Sequence, residues 1–493
     1  MNAQRPAARI PALLVALLLA GCGAGPNYQR PVLGPGSGLS PQATAGDADL
    51  ITPVAGTLQV HPGADIPQQW WEVFHCADLD ALVRQALDHN PSLTAASAAL
   101  RQAHEQVLAQ QGGYYPQVAA SIAPSRQKVA STLASPLANN QDLFNLTTTQ
   151  VSVSYTPDFF GANARAIEAL VATQDLQRYQ LAAARLTLAT NVVLAAIQDA
   201  LLRAQISATR AIITEQQRMV AALDRLQELG QASQADIAAQ ETQLAQIQGT
   251  LPLLEKQFLI NRDLLAALVG RTPGEPLVER FSFEALRLPA DVPVSLPARL
   301  VEQRPDVLIS EAQLRAASAQ VGIAAAARWP NLQLTANLGS SALSLYPSFN
   351  TPTHFFDLAA SLTQPLFQAG TLRHRERAAE AAYDQAAAQY QVTVIGAFQS
   401  TSDVLHALWL DGEELTDEQR SQALAGRSLT IVRAQLALGD ATQQAVLTAD
   451  QAWRQTSLGL LQARATLAGD VVALYQSLGG GWWHHPADPT AGP

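Results

Sequence analysis

The sequence contains very little cysteine. Of its 493 residues only two are cysteines, Cys22 and Cys76. Cys22 lies in the N-terminal segment, so Cys76 would be alone in the rest of the chain. A single cysteine cannot build a disulfide framework, which excludes the small disulfide-stapled folds of secreted proteins. We expect Cys76 to be a small, half-buried residue.

The sequence also lacks a block of basic residues. Its 31 Lys and Arg are outnumbered by 41 Asp and Glu, and its formal net charge is −10. Nucleic-acid binding depends on a basic surface that neutralises phosphates. We therefore expect no nucleic-acid partner.

Common enzyme motifs are absent. The sequence has no Gly-x-Ser-x-Gly, no Walker loop, no His-Glu-x-x-His and no Cys-x-x-Cys. Its acidic residues are spread along predicted helices, where a solvated helix face accounts for them. We expect no catalysis, no metal site and no cofactor.

Beyond the N-terminus, we expect no apolar stretch as long as a membrane helix. The apolar stretch Ile10–Ala20 is itself too short to span a bilayer and is typical of a secretory signal. Leu19–Cys22 resembles the lipobox of bacterial lipoproteins, in which residues 1–21 are removed and Cys22 carries a covalent lipid. An ordinary signal peptide with a chance cysteine is the alternative. Gly23, rather than Asp, follows the cysteine and favours the outer membrane.

The chain is internally duplicated. Residues 91–116 match residues 305–330 at an offset of 214, and from Gly161 and Gly370 onward the offset is 209. The matches include Pro91 and Pro305, Leu100-Arg101 and Leu314-Arg315, Gln106-Val107 and Gln320-Val321, Leu229-Gly230 and Leu438-Gly439, and Gly270 and Gly479. Proline, glycine and Leu-Gly pairs kept in register indicate a tandem repeat.

Each repeat carries two segments of alternating polarity, which predict β-strands. They lie at about 116–128, 146–156, 330–340 and 355–364. Strands of about ten residues with one apolar face suit the wall of a transmembrane β-barrel, with lipid outside and water inside. A soluble antiparallel sheet with one wet face has the same pattern and is the alternative.

Each repeat also carries a long helical hairpin. The long helices are predicted at 161–229 and 369–438, and their partners at 234–269 and 443–478. The long stretches lack proline and could each reach roughly 100 Å as helices. The turns fall at Gly230 and Gly439, where an ordinary C-cap role explains glycine. Ser233 and Asp236 resemble a capping box, and Thr442 has the place of Ser233.

These elements divide the chain and constrain its assembly. The predicted parts are a signal peptide (1–21), a lipidated N-terminal segment with an equatorial part (22–75), a first repeat (76–270), an equatorial linker (271–294), a second repeat (295–479) and a flexible tail (480–493). The fold class is mainly α with a transmembrane β-barrel. Four strands cannot close a barrel with a lumen, so several chains must share one. Three chains would supply twelve strands, enough for a water-filled pore, and we expect a homotrimer.

Several motifs occur in an order and spacing that resemble a known family. They are Cys22–Pro31 (CGAGPNYQRP), Trp70–Phe74 (WWEVF), Asn90-Pro91, Leu229–Ser233 (LGQAS), Gln364–Phe367 (QPLF), Gly370 and Leu438–Thr442 (LGDAT). With these the chain resembles the outer membrane factor (TolC/OprM) family, in its NodT-like lipoprotein branch. The resemblance covers nearly the whole chain after the signal peptide.

The resemblance implies a TolC-like trimeric duct in the outer membrane that extends into the periplasm. Such a duct passively exports small amphiphilic compounds in a tripartite efflux pump, with a periplasmic adaptor protein and an inner-membrane transporter of the resistance-nodulation-division type as partners. The outer duct of a type I protein-secretion system is an alternative with the same fold. A periplasmic adaptor or scaffold lipoprotein is a third possibility, but it would lack the four strands.

The resemblance also implies two sets of functional residues at the helix tips. The adaptor would contact Leu229, Gly230, Ser233, Leu438, Gly439 and Thr442. A periplasmic gate would use the carboxylates of Asp236 and Asp440 and tethers from Arg225 and Arg433. The sequence departs from the family at Ala445 and Thr448, where some relatives have acids.

Overall fold

The computed structural model describes residues 24–31, 59–62, 65–130, 132, 141–275, 279–289, 291–294, 302–343 and 353–484. The predicted signal peptide and Cys22 lie outside the described residues. The chain forms two compact units. The sheet unit comprises Met1–Val32, Leu100–Gln177 and Ser310–Tyr390, and the hairpin unit comprises Leu33–Ala99, Arg178–Ile309 and Gln391–Pro493. Each unit takes segments from both repeats, so the repeats predicted from the sequence are not the compact units.

The described helices follow the same order in each repeat, except that α1 has no counterpart among the described residues of the second. They are α1 (Ala77–His89), α2 (Pro91–Gln111), α3 (Ala162–Glu228), α4 (Gln234–Leu268), α5 (Pro305–Ala326), α6 (Thr371–Leu438) and α7 (Gln443–Ser477). The long helices α3 and α6 contain no proline and are rich in strong helix formers. Together α3 with α4, and α6 with α7, form the two predicted hairpins.

The described strands form two sheets. A parallel pair joins β1 (Gln59–Pro62) to β4 (Asp291–Val294). The second sheet is antiparallel, with four strands in the order β2-β3-β5-β6. Its strands are β2 (Gln117–Lys128), β3 (Leu143–Tyr155), β5 (Asn331–Ala342) and β6 (His354–Thr363). The four strands predicted from the alternating segments are thus present and form this antiparallel sheet.

The duplication extends to the register of the two hairpins in this sheet. Gln117 of β2 pairs with Ser154 of β3, and Asn331 of β5 pairs with Thr363 of β6. Asn331 follows Gln117 by 214 residues, and Thr363 follows Ser154 by 209. The two hairpins therefore share one register, and the change of offset falls in the loop between the strands.

The core of the hairpin unit is built around a cluster of aromatic residues. Trp70 is buried and stacks on Tyr475, with ring centroids 5.4 Å apart. Trp482 donates its indole N–H to the carbonyl oxygen of Gln303 at 2.6 Å. Gly480 and Gly481, which the sequence assigned to a flexible tail, are buried. Residues 480–482 are therefore packed within this unit, and 485–493 of the predicted flexible tail lie outside the described residues.

One described helix, α3, is long and apolar enough to cross a membrane, by length and composition alone. Its most apolar 18-residue window has a mean hydropathy of 1.4, and 56% of that window is buried inside the molecule. This corrects the expectation that no apolar stretch after the N-terminal segment is as long as a membrane helix. Burial of this kind is typical of a core helix, so the finding is weak evidence for a membrane span.

Candidate functional site

Both helix tips are built on a left-handed glycine. Gly230 has φ +69° and Gly439 has φ +82°. Past the first tip, the N–H of Gln231 donates to the carbonyl oxygen of Leu226 at 2.8 Å, and past the second, that of Asp440 donates to Gln435 at 2.9 Å. These bonds are those of a Schellman motif. A Cβ at either glycine would meet no atom within 4 Å, so glycine is needed for its φ angle alone.

The two tips differ in how the next helix begins. Ser233 and Asp236 form a reciprocal capping box, which confirms that prediction. Thr442 accepts a bond from the N–H of Ala445 at 3.2 Å, but alanine cannot return it. Hydrogen bonds from the Ser233 hydroxyl and N–H hold the pKa of the Asp236 carboxyl below its usual range. The Asp236 carboxylate is thus already engaged within its own turn.

The tips also expose apolar side chains. Leu229 is 71% exposed and Leu438 is 78% exposed, each one residue before its glycine. Exposed leucines at equivalent places in two repeats are candidates for a contact surface. That surface stays a prediction, as do the contacts assigned to Gly230, Ser233, Gly439 and Thr442.

One predicted gate residue has a partner that the sequence did not reveal. Arg433 of α6 donates to Asp450 of α7 at 3.2 Å. Asp450 also pairs with Arg454, one turn further along α7. Arg454 in turn donates to the carbonyl oxygen of Ile212 on α3 at 3.1 Å. Asp450 therefore links Arg433 to a residue that connects the two hairpins.

The other predicted gate residues have fewer contacts. Asp440 and Arg225 are exposed, and within the described part of the chain no ion pair is formed by either side chain. The spacing of Asp450 and Arg454, four residues apart on a helix, is the one sequence signal that could have indicated the cluster.

Amide side chains line a cavity beside this cluster. A cavity of about 340 Å³ is lined by residues of α3, α4 and α7, among them Gln216, Gln243, Gln451 and Arg454. Gln216 donates to Gln240 at 2.5 Å, and both are buried. The contact between α3 and α4 is therefore made here by an amide hydrogen bond beside a cavity.

The N-terminal motif is bound to the sheet unit as a strap, which we define as residues 24–31. Arg165 of α3 donates to Asn27 Oδ1 at 2.7 Å and to the carbonyl oxygen of Ala24 at 3.3 Å. A Cβ on Gly25 would lie 2.5 Å from the Cα of Gly322 on α5. Glycine at both positions lets the two backbones approach closely.

A buried carboxylate holds the other end of the strap. The Glu311 side chain is only 2% exposed and accepts two bonds from Arg30, at 2.6 and 3.1 Å. Arg315 donates to the same carboxylate at 2.6 Å. Burial raises the pKa of the Glu311 carboxyl, but the bonds and charges of Arg315 and Arg30 outweigh it, so the net pKa is lowered. Burial and the Glu311 charge raise the pKa of Tyr28 to about 12.

The four-stranded sheet has one apolar and one polar face. Across the apolar face run aligned rows of side chains: Ala120, Val151, Leu338 and Phe356 in one, and Val118, Val153, Ala336 and Leu358 in the next. The opposite face carries serine, threonine, asparagine and glutamine, and there Asn337 donates to Asp357 at 3.1 Å. Phe356 and Leu358 are 76% and 78% exposed. The two faces suit lipid on one side and water on the other.

A carboxyl pair lies inside the hairpin unit. Asp470 of α7 is hydrogen-bonded to Asp411 of α6, and one oxygen of Asp470 has no partner in the described residues. Burial, together with the hydrogen bond and charge of Asp411, raises the pKa of Asp470 to about 7. Asp470 follows Asn261 by 209 residues, so the first repeat has a neutral amide there.

Comparison with known proteins identifies the class of molecule with these features. The family model for outer membrane efflux proteins matches residues 82–271 and 296–480. The chain is 28% identical over 418 residues to the pyoverdine export outer membrane protein OpmQ of Pseudomonas aeruginosa, covering 84% of this chain and 88% of that protein. It is 26% identical over 488 residues to the cation efflux system protein CusC of Escherichia coli K12, covering 95% and 98%.

Solved structures show the fold. The chain superposes on the outer-membrane channel OprN with a TM-score of 0.82 at 23% identity, covering 94% of this chain and all of that one. The predicted TolC-like fold, mainly α with four β-strands that form one antiparallel sheet, is confirmed by this likeness. The match to an efflux family also decides against the adaptor or scaffold hypothesis.

Proposed function

Because the chain belongs to the outer membrane efflux protein family and is an outer-membrane efflux channel, we propose that three copies form one passive exit duct. In this proposal each copy contributes its four strands to a shared twelve-stranded barrel. The observation that carries it is the sheet, whose exposed apolar face opposes a polar face. Its outer strands β2 and β6 each have one edge that pairs with no strand among the described residues. The duct needs no cofactor and performs no covalent chemistry.

The proposed partners are a periplasmic adaptor and an inner-membrane transporter of the resistance-nodulation-division type. Leu229 and Leu438 support an adaptor contact, because two exposed leucines would be desolvated there. Changing both to Asp should abolish export while the trimer still forms. The matched control is Gln231→Asp, which adds one charge beside the first tip. Loss of export is measured as drug susceptibility of a strain that depends on this channel, and trimer content as heat-modifiable migration on a gel.

The proposed cargo is small and amphiphilic. The names of OpmQ and CusC refer to pyoverdine and to cations, so the family accommodates different cargoes. A panel of dyes, solvents and metal ions in the same strain tests the class of substrate. Export of a protein instead would identify a type I secretion duct.

We propose that Asp450 and Arg433 belong to the periplasmic gate together with Asp236, Asp440 and Arg225. Asp450 supports this because it binds Arg433 at 3.2 Å and Arg454, which reaches the other hairpin. Asp450→Ala should raise the single-channel conductance in a planar bilayer more than Asp236→Ala, whose carboxylate caps its own helix. Asp440→Ala should also raise it. Glu228→Ala, an exposed acid at the first tip, is the control and should leave conductance unchanged.

We also propose that Cys22 carries the lipid. The strap supports this, since it fixes the chain from Ala24 onward and only Gly23 lies between Ala24 and Cys22. Mass spectrometry of the mature N-terminus should find an acylated cysteine, and the Cys22→Ser variant should lack the mass of the acyl chains. An unmodified N-terminus would contradict the proposal.

A further inference from the structure

The first turns of α6 carry several basic side chains. We define the basic cluster as Arg373, His374, Arg375 and Arg377. All four residues are exposed, and within the described part of the chain none of their side chains forms an ion pair or a hydrogen bond. The whole chain has a formal net charge of −10, so three unpaired arginines within five residues are a local excess of positive charge.

The acids next to the basic cluster in the sequence do not neutralise it. Glu376 lies inside it, but its carboxylate accepts from Arg328 of α5 at 2.5 Å, and that pair is neutral. Glu380 lies one turn after Arg377 and forms no ion pair among the described residues. A helix N-terminus also carries a partial positive charge, which disfavours arginine there unless an anion is close. An anion from outside the chain would therefore stabilise this turn.

The first repeat serves as an internal reference for this charge. The equivalent residues of α3, 209 positions earlier, are Ala164, Arg165, Ala166 and Glu168. Arg165 pairs with Glu168 at 2.6 Å and donates to Asn27 of the strap at 2.7 Å. With histidine neutral, these four positions carry no net charge in the first repeat and a net charge of +3 in the second. The excess charge thus belongs to the second repeat alone.

The basic cluster lies near the periplasmic end of the four-stranded sheet. The helices α2, α3, α5 and α6 all join the sheet at one end, where Gln117 pairs with Ser154 and Asn331 pairs with Thr363. Because the channel extends from the outer membrane into the periplasm, this is the periplasmic end. Thr371, the first residue of α6, comes eight positions after Thr363. The cluster therefore follows directly after the part of the chain that lies in the membrane.

Exposed apolar side chains lie between the strand and the basic cluster. Leu362 on the apolar face of β6 is 69% exposed, and Leu366 and Phe367 in the turn after it are 92% and 89% exposed. A Cβ at Gly370 would lie 3.3 Å from the His374 ring, so this ring packs against the same turn. Apolar side chains followed by basic ones suit the level of the lipid headgroups, where acyl chains meet phosphates.

The repeat also indicates which side of α6 faces the lipid. His374 has the place of Arg165, which donates to the carbonyl oxygen of Ala24 in the strap at 3.3 Å. Ala24 comes two positions after Cys22, the residue proposed to carry the lipid. The side of α3 that bears Arg165 is then directed to the bilayer, and the repeat directs the His374 side of α6 the same way. This step rests on the proposed lipid at Cys22.

We propose that the basic cluster binds the phosphate of an anionic phospholipid in the periplasmic leaflet of the outer membrane, with Leu366 and Phe367 against its acyl chains. Arg373 and Arg377 lie one turn apart on α6, so both guanidinium groups can donate to one phosphate. The inference requires that the sheet lies in the outer membrane, but it does not depend on the number of copies that share the barrel.

Native mass spectrometry of the full-length protein in a neutral detergent tests the proposal. The probes are phosphatidylglycerol and phosphatidylcholine with the same acyl chains. Each basic residue near an anionic lipid surface changes affinity by about five-fold, so phosphatidylglycerol should bind on the order of ten-fold more tightly. Arg373→Ala with Arg377→Glu gives α6 the residues of the first repeat, Ala164 and Glu168, and should reduce this preference to about two-fold or less. Added salt should weaken the binding of phosphatidylglycerol alone.

Matched variants separate the local charge from other effects. Arg420→Ala with Arg427→Glu makes the same changes at two exposed positions further along α6 and should keep the preference. Arg373→Lys with Arg377→Lys keeps the charge and should retain most of the preference. Phe367→Ser should weaken the binding of both lipids equally, because it removes only the contact with the acyl chains. If the first double variant does not assemble, Arg375→Ala alone should still lower the preference.

Two outcomes would overturn the proposal. One is equal binding of the two lipids by the unsubstituted protein, or an equal loss of preference in the Arg420 and Arg427 variant, which would reflect net charge alone. The other is an unchanged preference in the Arg373 and Arg377 variant together with a shifted reversal potential of single channels in a salt gradient. The cluster would then face the lumen. Trimer mass and the mass of the N-terminus judge the duct and the lipid at Cys22 separately.

Discussion

Gly270 in the first repeat and Gly479 in the second lie at the ends of α4 and α7, with φ +78° and +93°. A Cβ would come within 2.7 Å of the carbonyl oxygen of His89 at the first and 3.0 Å of that of Gln303 at the second. Other equivalent positions hold different residues. Asp470 replaces Asn261, Ala445 replaces Asp236, and Glu311 replaces Ser97.

Residues that are the same in both repeats serve a structural need of both halves, whereas residues that differ serve one half only. Backbone contacts and left-handed turns are kept, because a Cβ at those glycines has no space or an unfavourable φ. Side chains differ where only one half has a task. Glu311 and Gly322 of α5 hold the strap, whereas their equivalents on α2, Ser97 and Leu108, do not. A trimer would contain six similar halves, and the strap would therefore lie only on the three that come from the second repeat.

The largest expected effect follows from changing the shared backbone contact. Gly479→Ala combines a left-handed φ with a contact to a carbonyl oxygen, and we expect a loss of roughly 2–5 kcal/mol in the free energy of unfolding. Gly270→Ala should cost at least as much, since its Cβ would lie 2.7 Å from the carbonyl oxygen of His89 rather than 3.0 Å from that of Gln303. Urea unfolding in detergent measures both. Gly439→Ala is the control, because its Cβ meets nothing and only the φ cost of about 1–2 kcal/mol applies.

If Gly479→Ala and Gly439→Ala proved equally stable, the close approach at Gln303 would carry no energetic weight. If Gly270→Ala were neutral while Gly479→Ala unfolded the protein, the two halves would differ at the backbone as well.

A smaller effect is expected where only one half has the contact. Glu311→Ala removes the carboxylate that binds Arg30 and Arg315, and should cost about 1.5–3 kcal/mol. The loss stays in this range because both arginines are partly exposed and can turn toward water. Amide hydrogen exchange should become faster in residues 24–31. Ser97→Ala, the equivalent change in the first half, should alter neither quantity, and slow exchange in the Glu311 variant would contradict the role of the strap.

A pH-dependent difference is expected at Asp470. Its pKa is raised to about 7, so the folded protein holds this proton more tightly than the unfolded chain does. The resulting stabilisation is fully present below the ordinary pKa of Asp and is lost as the pH rises through about 7. The melting temperature should therefore fall between about pH 5.5 and pH 8.5. Asp470→Asn makes the site resemble Asn261 and should raise the melting temperature at the higher pH and flatten the profile. Asp403→Asn, an exposed acid on α6, is the control and should keep the slope.

Sequence reasoning predicted the features that depend on local pattern. The alternating segments predicted the four strands. The first helix tip and its cap were predicted from Leu-Gly, Ser233 and Asp236, because turns and caps are set by neighbouring residues. The outer membrane efflux family could be recognised for the same reason. The motif Pro26–Pro31 is visible in the sequence, but the residues that bind it are not.

The missed contacts depend on how distant helices pack. Glu311 lies 281 residues from Arg30, and Asp411 meets Asp470 across a hairpin. Helices that bury several faces show little amphipathic periodicity, so their contacts cannot be read from the pattern of one segment. Asp450 was missed for this reason, although its spacing from Arg454 was visible.

The smallest expected effect compares the two caps. Asp236→Ala removes one arm of the capping box and should speed amide exchange in the first turn of α4, while the Ser233 hydroxyl still accepts from the N–H of residue 236. Ala445→Asp gives the second tip the missing arm beside Thr442 and should stabilise it by a few tenths of a kcal/mol. Hydrogen exchange at the N–H groups of the first turns of α4 and α7 reports each cap separately. Slower exchange at α7 in the Ala445 variant, with exchange at α4 unchanged, would show that the second tip has gained the reciprocal cap of the first. Unchanged exchange at α7 would mean that Thr442 alone satisfies that turn.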